Sequence, residues 1–387
     1  VSLAQVVPLG TVGIVTEVPA SAGPPDVPFP VQPRDVPWPT QAWPQGAPDP
    51  DVDAATVDDV VAGLLAPGAD PPAGRGVTLA VAVAHRGRLV AEGYGVQPDS
   101  AFGPGGPVDA DTPLVSWSMA KSITHAAVGL LVGDGLVRLH DPAPVPEWAG
   151  TDKAGITLQH LLEMRPGLRF VEDYVDGSIS HCLEMLFGSG ASDHAAYAAA
   201  LPLDHPPGTV WNYSSGTTNI VARIIGDRVA QATGRGGAEG VRAFLHDRLF
   251  APIGMASADP RFDGAGTWVG SSYVYATARD FARFGTLYLR NGEWDGRRLL
   301  PEGWADHART WTATDPESGF GYGAHWWLWP DQPGSLAAHG YEGQYTVVLP
   351  AKDLVVVHLG KWPAELRPVL VAELRRLIGA FPEARAP

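Results

Sequence analysis

The stretch Thr112-Pro-Leu-Val-Ser-Trp-Ser118-Met-Ala-Lys121-Ser-Ile123 decides how this chain is read. Ile123, Ala126, Ala127, Leu130 and Leu131 follow at helical spacing, so a buried helix is predicted over 118–132. Ser118 and Lys121 then stand three residues apart on one face, at the helix start. A serine hydroxyl is a poor nucleophile until a base takes its proton. A neutral lysine amine can take it if its pKa falls from about 10.4 to about 7–8. Burial acts in that direction, and so does the positive end of the helix dipole in the first turn. The Ser118 backbone N–H leaves the same helix start and is a candidate oxyanion donor. Ser-x-x-Lys alone is a weak signal, and a solvated lysine on a helix is the plain alternative.

Lysine is scarce, which sharpens the choice. Of 27 basic residues only Lys121, Lys153, Lys352 and Lys361 are lysines. Arginine stays protonated and cannot serve as a general base. Lys153 falls in the polar loop Gly150–Gly155, Lys352 in a turn between two C-terminal strands, and Lys361 after the last strand. None of these three has a serine three residues before it.

Two further segments carry possible chemistry. Tyr213-Ser214-Ser215-Gly216 lies in a turn before a helix predicted over 217–232. A tyrosine beside a lysine can pass protons between nucleophile and leaving group, because a nearby cation lowers its pKa. A half-buried loop tyrosine is the alternative. His339-Gly340-Tyr341-Glu342-Gly343-Gln344 enters a strand, where glycines admit a close approach to the backbone and the strand edge offers a second oxyanion N–H. A bulge or tight turn is the alternative there. The chain has no G-x-S-x-G elbow, no phosphate-binding glycine loop and no H-E-x-x-H pair.

Around these segments the chain reads as an α+β protein. Val77–Val83 and Arg88–Glu92 form a hairpin about Arg86-Gly87. Strands are expected at Gly323–Trp329, Gln344–Leu349 and Leu354–Leu359, before a final helix over 364–378. Helices are expected over 157–163, 239–249 and 279–290. Strands at both ends with helices between them predict one antiparallel sheet built from both chain ends, with a mostly helical region inserted. The expected organisation is a proline-rich extension over 1–50 wrapped on the body, a sheet domain from 51–115 and 270–387, and a helical domain over 116–269. Asp53 is expected to cap a helix. The Trp326–Trp329 run reads as a strand packed on both faces, and Cys182 as a small core residue.

Composition excludes other classes. Hydrophobic residues make up 45% of the 387, charged residues 18%, and there is one cysteine. One cysteine forbids an internal disulfide framework and a Cys-cluster zinc site. A net charge of −15 without a basic block argues against nucleic acid or an anionic membrane as partner. No apolar stretch approaches the roughly 18–20 residues that span a bilayer. Gln5, Pro8, Gly10 and Glu17 interrupt the apolar N-terminal run, and no basic residue precedes Arg34, so no signal peptide is expected and the reading is cytoplasmic.

Ser-x-x-Lys, then Tyr-Ser-Ser about 95 residues later, then His-Gly-x-x-Gly-Gln before a C-terminal strand together resemble the serine β-lactamase and penicillin-binding-protein superfamily. The resemblance is to its class C β-lactamase-like branch, which includes the family VIII carboxylesterases and the 6-aminohexanoate-dimer hydrolases. It runs from about residue 35 to the end, with support from Trp38-Pro39, Trp43-Pro44, Ile156–Met164, Leu168–Tyr174 and Ala276–Gly285. It implies a β-lactamase-like fold, and no metal or organic cofactor. It implies Ser118 as the acylated nucleophile, Lys121 as its base and Tyr213 as the proton shuttle. It implies Tyr174 as a second tyrosine holding the scissile amide nitrogen, and the Ser118 and Tyr341 N–H groups as the oxyanion hole. Ser215, His339, Gly340, Gly343 and Trp327 are then expected to line the substrate. The third motif is not Lys-Thr-Gly and the second is not Tyr-x-Asn, so the resemblance implies linear amides of the 6-aminohexanoate-oligomer type or small-acyl esters rather than β-lactams. A plain carboxylesterase, an acyltransferase, a β-lactamase or peptidase, and a non-catalytic binding protein on the same fold are the alternatives. The expected partner is a small-molecule substrate, and the expected state a monomer or homodimer.

Overall fold

The computed structural model describes residues 16–17, 27–33, 36–100, 104–172 and 180–384. Its framework is an eight-stranded antiparallel sheet. In chain order the strands are β1 (Val77–His85), β2 (Arg88–Tyr94), β3 (Ala313–Thr314), β4 (Gly321–Tyr322), β5 (Trp327–Leu328), β6 (Leu336–Gly340), β7 (Gln344–Leu349) and β8 (Leu354–Lys361). Across the sheet they run β3-β4-β5-β6-β7-β8-β1-β2. The hairpin near the N-terminus therefore joins the C-terminal meander through β8 and β1, with Val356 opposite Val83.

The continuous apolar run in β1 is explained by burial on both faces. Val81 and Val83 pack with Val347 and Val356 against helices α1 (Ala54–Leu65) and α10 (Arg367–Gly379). Ala80, Ala82 and Ala84 face the other way, with Val348, Val355 and Val357. That face is covered by α8 (Ala278–Leu289), whose Phe281 and Phe284 enter the same core. α8 lies close to the sheet: a methyl on Gly285 would stand 2.6 Å from Val355 Cγ1. Asp53 caps α1 as the sequence indicates, its carboxylate accepting from Thr56 N at 3.1 Å.

Between the two halves of the sheet lie α2 (Ala120–Gly133), α3 (Leu158–Leu162), α4 (His181–Phe187), α5 (His194–Ala200), α6 (Ser215–Thr233) and α7 (Gly237–Leu245), with α9 (Trp304–Arg309) after α8. A turn of 3-10 helix, Trp117–Met119, leads into α2. α6 begins two residues earlier than its apolar spacing indicates, because Ser214 caps it by accepting from Thr217 N at 2.9 Å. Residues 36–50 lie on the body. The Trp43 indole donates to the Arg279 carbonyl at 3.0 Å, and the Trp38 ring sits 5.3 Å from Trp294. Leu89 N donates to Pro44 O at 2.8 Å, which closes part of the β2 edge.

The strand expected over 323–329 is interrupted. His325 takes a left-handed conformation (φ 56) and its N–H donates to Leu162 O at 3.0 Å, so only Trp327 and Leu328 pair in the sheet. Trp326 and Trp329 still bury on opposite faces, one beside Phe284 and Tyr288 and the other beside Phe320. Lys361 closes β8 rather than following it. Among the described residues no helix is long and apolar enough to cross a membrane.

Candidate active site

α2 is buried along nearly its whole length, which carries Lys121 into the interior at 2% exposure. Its side-chain nitrogen has three partners in reach. Nζ donates to Ser118 Oγ at 2.9 Å, to Ser215 Oγ at 2.9 Å and to the Ser271 carbonyl at 3.1 Å. It also lies 4.8 Å from the centre of the Tyr213 ring. The three residues brought out by the sequence as candidates for proton transfer therefore meet at one point, although Tyr213 comes from a separate segment.

Ser118 is held by its neighbours. Ser116 N donates to Val274 O and Val274 N donates back to Ser116 Oγ, at 2.9 and 3.0 Å. Trp117, between them, has φ 43. A bulky residue in this region is an outlier, and such outliers gather at functional sites. The Trp117 ring packs against Tyr273 at 5.7 Å and edge-on against Tyr341 at 6.0 Å.

The end of β6 lies against this turn. Gly340 explains the close approach: a methyl there would run into the Ser116 carbonyl oxygen and stand 2.8 Å from Gln344 Cβ. Tyr341, the next residue, presents a half-exposed ring beside Trp117. Gly343 has φ 82 and faces Leu370 and Trp362, on the side of α10. Gln344 is buried and spent on backbone, its amide donating to Gly360 O at 2.7 Å while its oxygen accepts from Gly360 N at 3.0 Å. Glu342 (φ 59) has its carboxyl pushed up by burial, with Lys361 and the Trp117 indole pulling it down.

The opposite wall is aromatic. Trp327 is half-buried, 5.3 Å from the Tyr213 ring and 5.0 Å from Tyr322. His339 stacks on Trp327 at 5.2 Å and 6°, and Trp329 Nε1 donates to its Nε2 at 2.9 Å. Burial holds the His339 imidazole well below its usual pKa, so it is a neutral ring and offers no cation to a substrate carboxylate. Burial pushes the Tyr213 phenol up. The Lys121 charge and hydrogen bonds with Ser118 and Lys121 pull it back, and the Glu172 charge adds to the rise. His325, beneath α2, is depressed to about 3 by burial. Its Nδ1 donates to Leu162 O at 2.7 Å, so Nε2 accepts from Thr218 at 3.0 Å.

Ser215 does not face an open cavity. Its hydroxyl accepts from Lys121 and donates to Glu172 Oε1 at 2.6 Å, and its N–H donates to Glu172 Oε2 at 2.7 Å. Glu172 and the Ser271 carbonyl are the two partners that sequence reasoning missed. Glu172 lies inside the Leu168–Tyr174 stretch, but no spacing rule ties it to Ser215. Tyr174 lies outside the described residues. Among the described residues no three His, Cys, Asp or Glu side chains are gathered as a metal site requires. The arrangement offers a hydroxyl, an amine and a phenol in mutual contact beside an extended backbone edge, which is what acyl transfer needs.

Comparison with known proteins agrees with this geometry. Residues 55–379 match the beta-lactamase family. A 6-aminohexanoate-dimer hydrolase of Paenarthrobacter ureafaciens is 28% identical over 266 residues, which is 64% of this chain and 65% of that protein. This chain thus spans just under two thirds of that relative. Among solved structures, a family VIII carboxylesterase superposes with a TM-score of 0.63 at 17% identity, covering 86% of this chain and 99% of that one. A penicillin-binding-protein homologue from Caulobacter crescentus gives 0.62 at 17% identity, covering 87% and 99%. At such identities these two structures speak for a shared fold.

Proposed function

The chain belongs to the beta-lactamase family, and on that premise we propose that it is a serine hydrolase acting through an acyl-enzyme on Ser118. The observation that carries the reading is the contact of Lys121 Nζ with Ser118 Oγ at 2.9 Å, with the Tyr213 ring 4.8 Å from the same nitrogen. Ser118 Oγ attacks the acyl carbon, and its proton passes to Lys121. The carbonyl oxygen, now an anion, is received by the backbone N–H groups of Ser118 and Tyr341. The bond to the leaving group breaks as Tyr213 gives that group its proton and is reprotonated from Lys121. Water then attacks the Ser118 ester, the acid departs, and the hydroxyl is restored. Every proton moves between groups of this chain, the substrate and water.

The substrate class we propose is a linear amide of the 6-aminohexanoate-oligomer type or a small-acyl ester. The relative of that name supports the first. The aromatic walls formed by Trp117 and Tyr341 on one side and Trp327 on the other suit the apolar part of either. Ser118→Ala assayed on p-nitrophenyl esters and on the 6-aminohexanoate dimer tests the reading. Loss of turnover is expected, and unchanged turnover sinks the mechanism. Wild-type turnover of esters alone narrows the reading to a carboxylesterase.

A further inference from the structure

We infer that Glu172 is a positioning residue for this reaction: through Ser215 it fixes Lys121 on Ser118 and supplies the negative charge opposite the cation that forms when Lys121 takes the Ser118 proton. This rests on the acyl-enzyme reading above.

The hydrogen bonds run in one direction. Lys121 Nζ donates to Ser118 Oγ and to Ser215 Oγ, each at 2.9 Å. Ser215 has one hydroxyl proton, and it goes to Glu172 Oε1 at 2.6 Å, so its lone pairs are left for the amine. Glu172 Oε2 takes the Ser215 N–H at 2.7 Å, which pins the carboxylate at the start of α6. Cys182 Sγ, fully buried, approaches Oε1 at 3.6 Å.

The chain segment before Glu172 is itself tied down. Val171 N donates to His181 Nδ1 at 3.0 Å, and Val171 O accepts from His181 N at 3.1 Å. Asn212 Nδ2 donates to Phe170 O at 3.0 Å. Gly216 makes room for this segment, since a methyl there would run into the Phe170 ring and stand 2.8 Å from Ala198 Cβ. Segments from three parts of the chain thus set one carboxylate behind Ser215.

The chemistry follows the logic of an acid that orients a base and stabilises its charged form without taking the proton. As Ser118 Oγ bonds to the acyl carbon, its proton moves to Lys121 and a cation develops away from water. A fixed anion one hydroxyl away counts for more there than in solvent. No bond to Glu172 forms or breaks. Among the described residues the titratable groups facing it are Lys121 from α2, Tyr213 from the loop before α6, Tyr322 from β4 and Cys182 from α4, while His325, from the turn between β4 and β5, faces Lys121. His325, at about 3, stays neutral over the working range.

The test compares full-length wild type, Glu172→Gln, Glu172→Asp and Ser215→Ala in steady-state hydrolysis of p-nitrophenyl butyrate across pH 5–10. Fluorophosphonate labelling of Ser118 and thermal unfolding are run alongside. Glu172→Gln is expected to lower kcat roughly 10- to 100-fold with KM little changed. It also moves the acid limb of the pH profile to lower pH by about one unit, because the anion favouring the ammonium form is gone. Glu172→Asp keeps the charge and returns the acid limb to the wild-type position. Wild-type kcat in Glu172→Gln overturns the inference. So does a loss of kcat with an unmoved acid limb, or an Asp variant that behaves like Gln. If Glu172→Gln does not fold, Ser215→Ala decides: it cuts the link while leaving the Ser215 N–H on the carboxylate, and wild-type kcat in it overturns the inference. A wild type without Ser118-dependent turnover or labelling brings down the acyl-enzyme reading and this inference together. Turnover abolished by Ser118→Ala but untouched by Glu172→Gln removes only the role of Glu172.

Discussion

Gly340→Ala probes the contact that brings the end of β6 to the Ser118 turn. Gly340 has φ −131 and ψ 159, an extended backbone that alanine accepts, so the substitution acts through its methyl group alone. That methyl would enter the Ser116 carbonyl oxygen and stand 2.8 Å from Gln344 Cβ. Ordinary contact begins near 3.4 Å, so the Ser116 carbonyl and the end of β6 must part by about 1 Å. Gln344 is bonded to Gly360 through both ends of its amide and gives little, so the displacement falls on the gap between Tyr341 N–H and Ser118. A misplacement of about 1 Å in such a site costs up to about 100-fold. The shift here then predicts a fall in kcat between about 10- and 100-fold, or about 1.4–2.7 kcal/mol in the barrier. Overpacking of this kind also lowers stability by about 1–3 kcal/mol. The assay is p-nitrophenyl ester turnover beside urea unfolding of the same preparations. Gly63→Ala, with nothing within 4 Å of the added methyl, is the matched control. Full kcat with unchanged stability in Gly340→Ala refutes the contact. Lost stability with full kcat refutes the claim that this strand edge lines the reacting centre.

Other outcomes follow from the packing and the buried charges. Gly63→Ala sits inside α1 in open space and should stabilise the protein by about 0.5–1 kcal/mol in urea unfolding. Asp353→Ala leaves the Arg290 guanidinium, 3% exposed and 2.7 Å from that carboxylate, without its charge partner; a loss of about 3–5 kcal/mol is expected, against near-neutrality for an exposed pair such as Arg376–Asp59. His358 is fully buried between Thr78 and the Gly343 carbonyl, and burial depresses it to about 4. Its unfolded-state pKa is near 6.5, so between those values the unfolded chain binds more protons and stability falls as pH drops. Its share of that loss is about 2 kcal/mol at pH 5, and His358→Gln should shrink the difference in unfolding free energy between pH 7.5 and pH 5.

Much of this site was legible in the sequence because it depends on local spacing. Ser118 and Lys121 meet because the 3-10 turn that carries Ser118 runs directly into α2, which carries Lys121, and the apolar pattern behind them announced that helix. The two-sided sheet was legible too, since Leu79–Ala84 is an unbroken apolar run and the runs Val347–Leu349 and Leu354–Val357 carry the same signature. What was not legible depends on contacts between distant segments. Glu172 reaches Ser215 across 43 residues, and only the folded chain shows that Gly216 makes room for the Phe170 ring two residues before it. His339 was expected to line the substrate, and the sequence did not show that its ring stacks on Trp327 and accepts from the Trp329 indole, where burial holds its pKa well below the usual value. The Trp326–Trp329 run read as unbroken strand. A backbone bond from His325 to Leu162 bends it, and no local propensity marks that bond.

The central claim is that Ser118 is acylated with Lys121 as its base. The most direct measurement is peptide mapping by mass spectrometry after brief incubation with a p-nitrophenyl ester and quenching in acid. An acyl mass is expected on the peptide carrying Ser118, absent in Ser118→Ala and strongly reduced in Lys121→Ala. An adduct on another residue, or turnover with Ser118 unmodified and Ser118→Ala fully active, contradicts it.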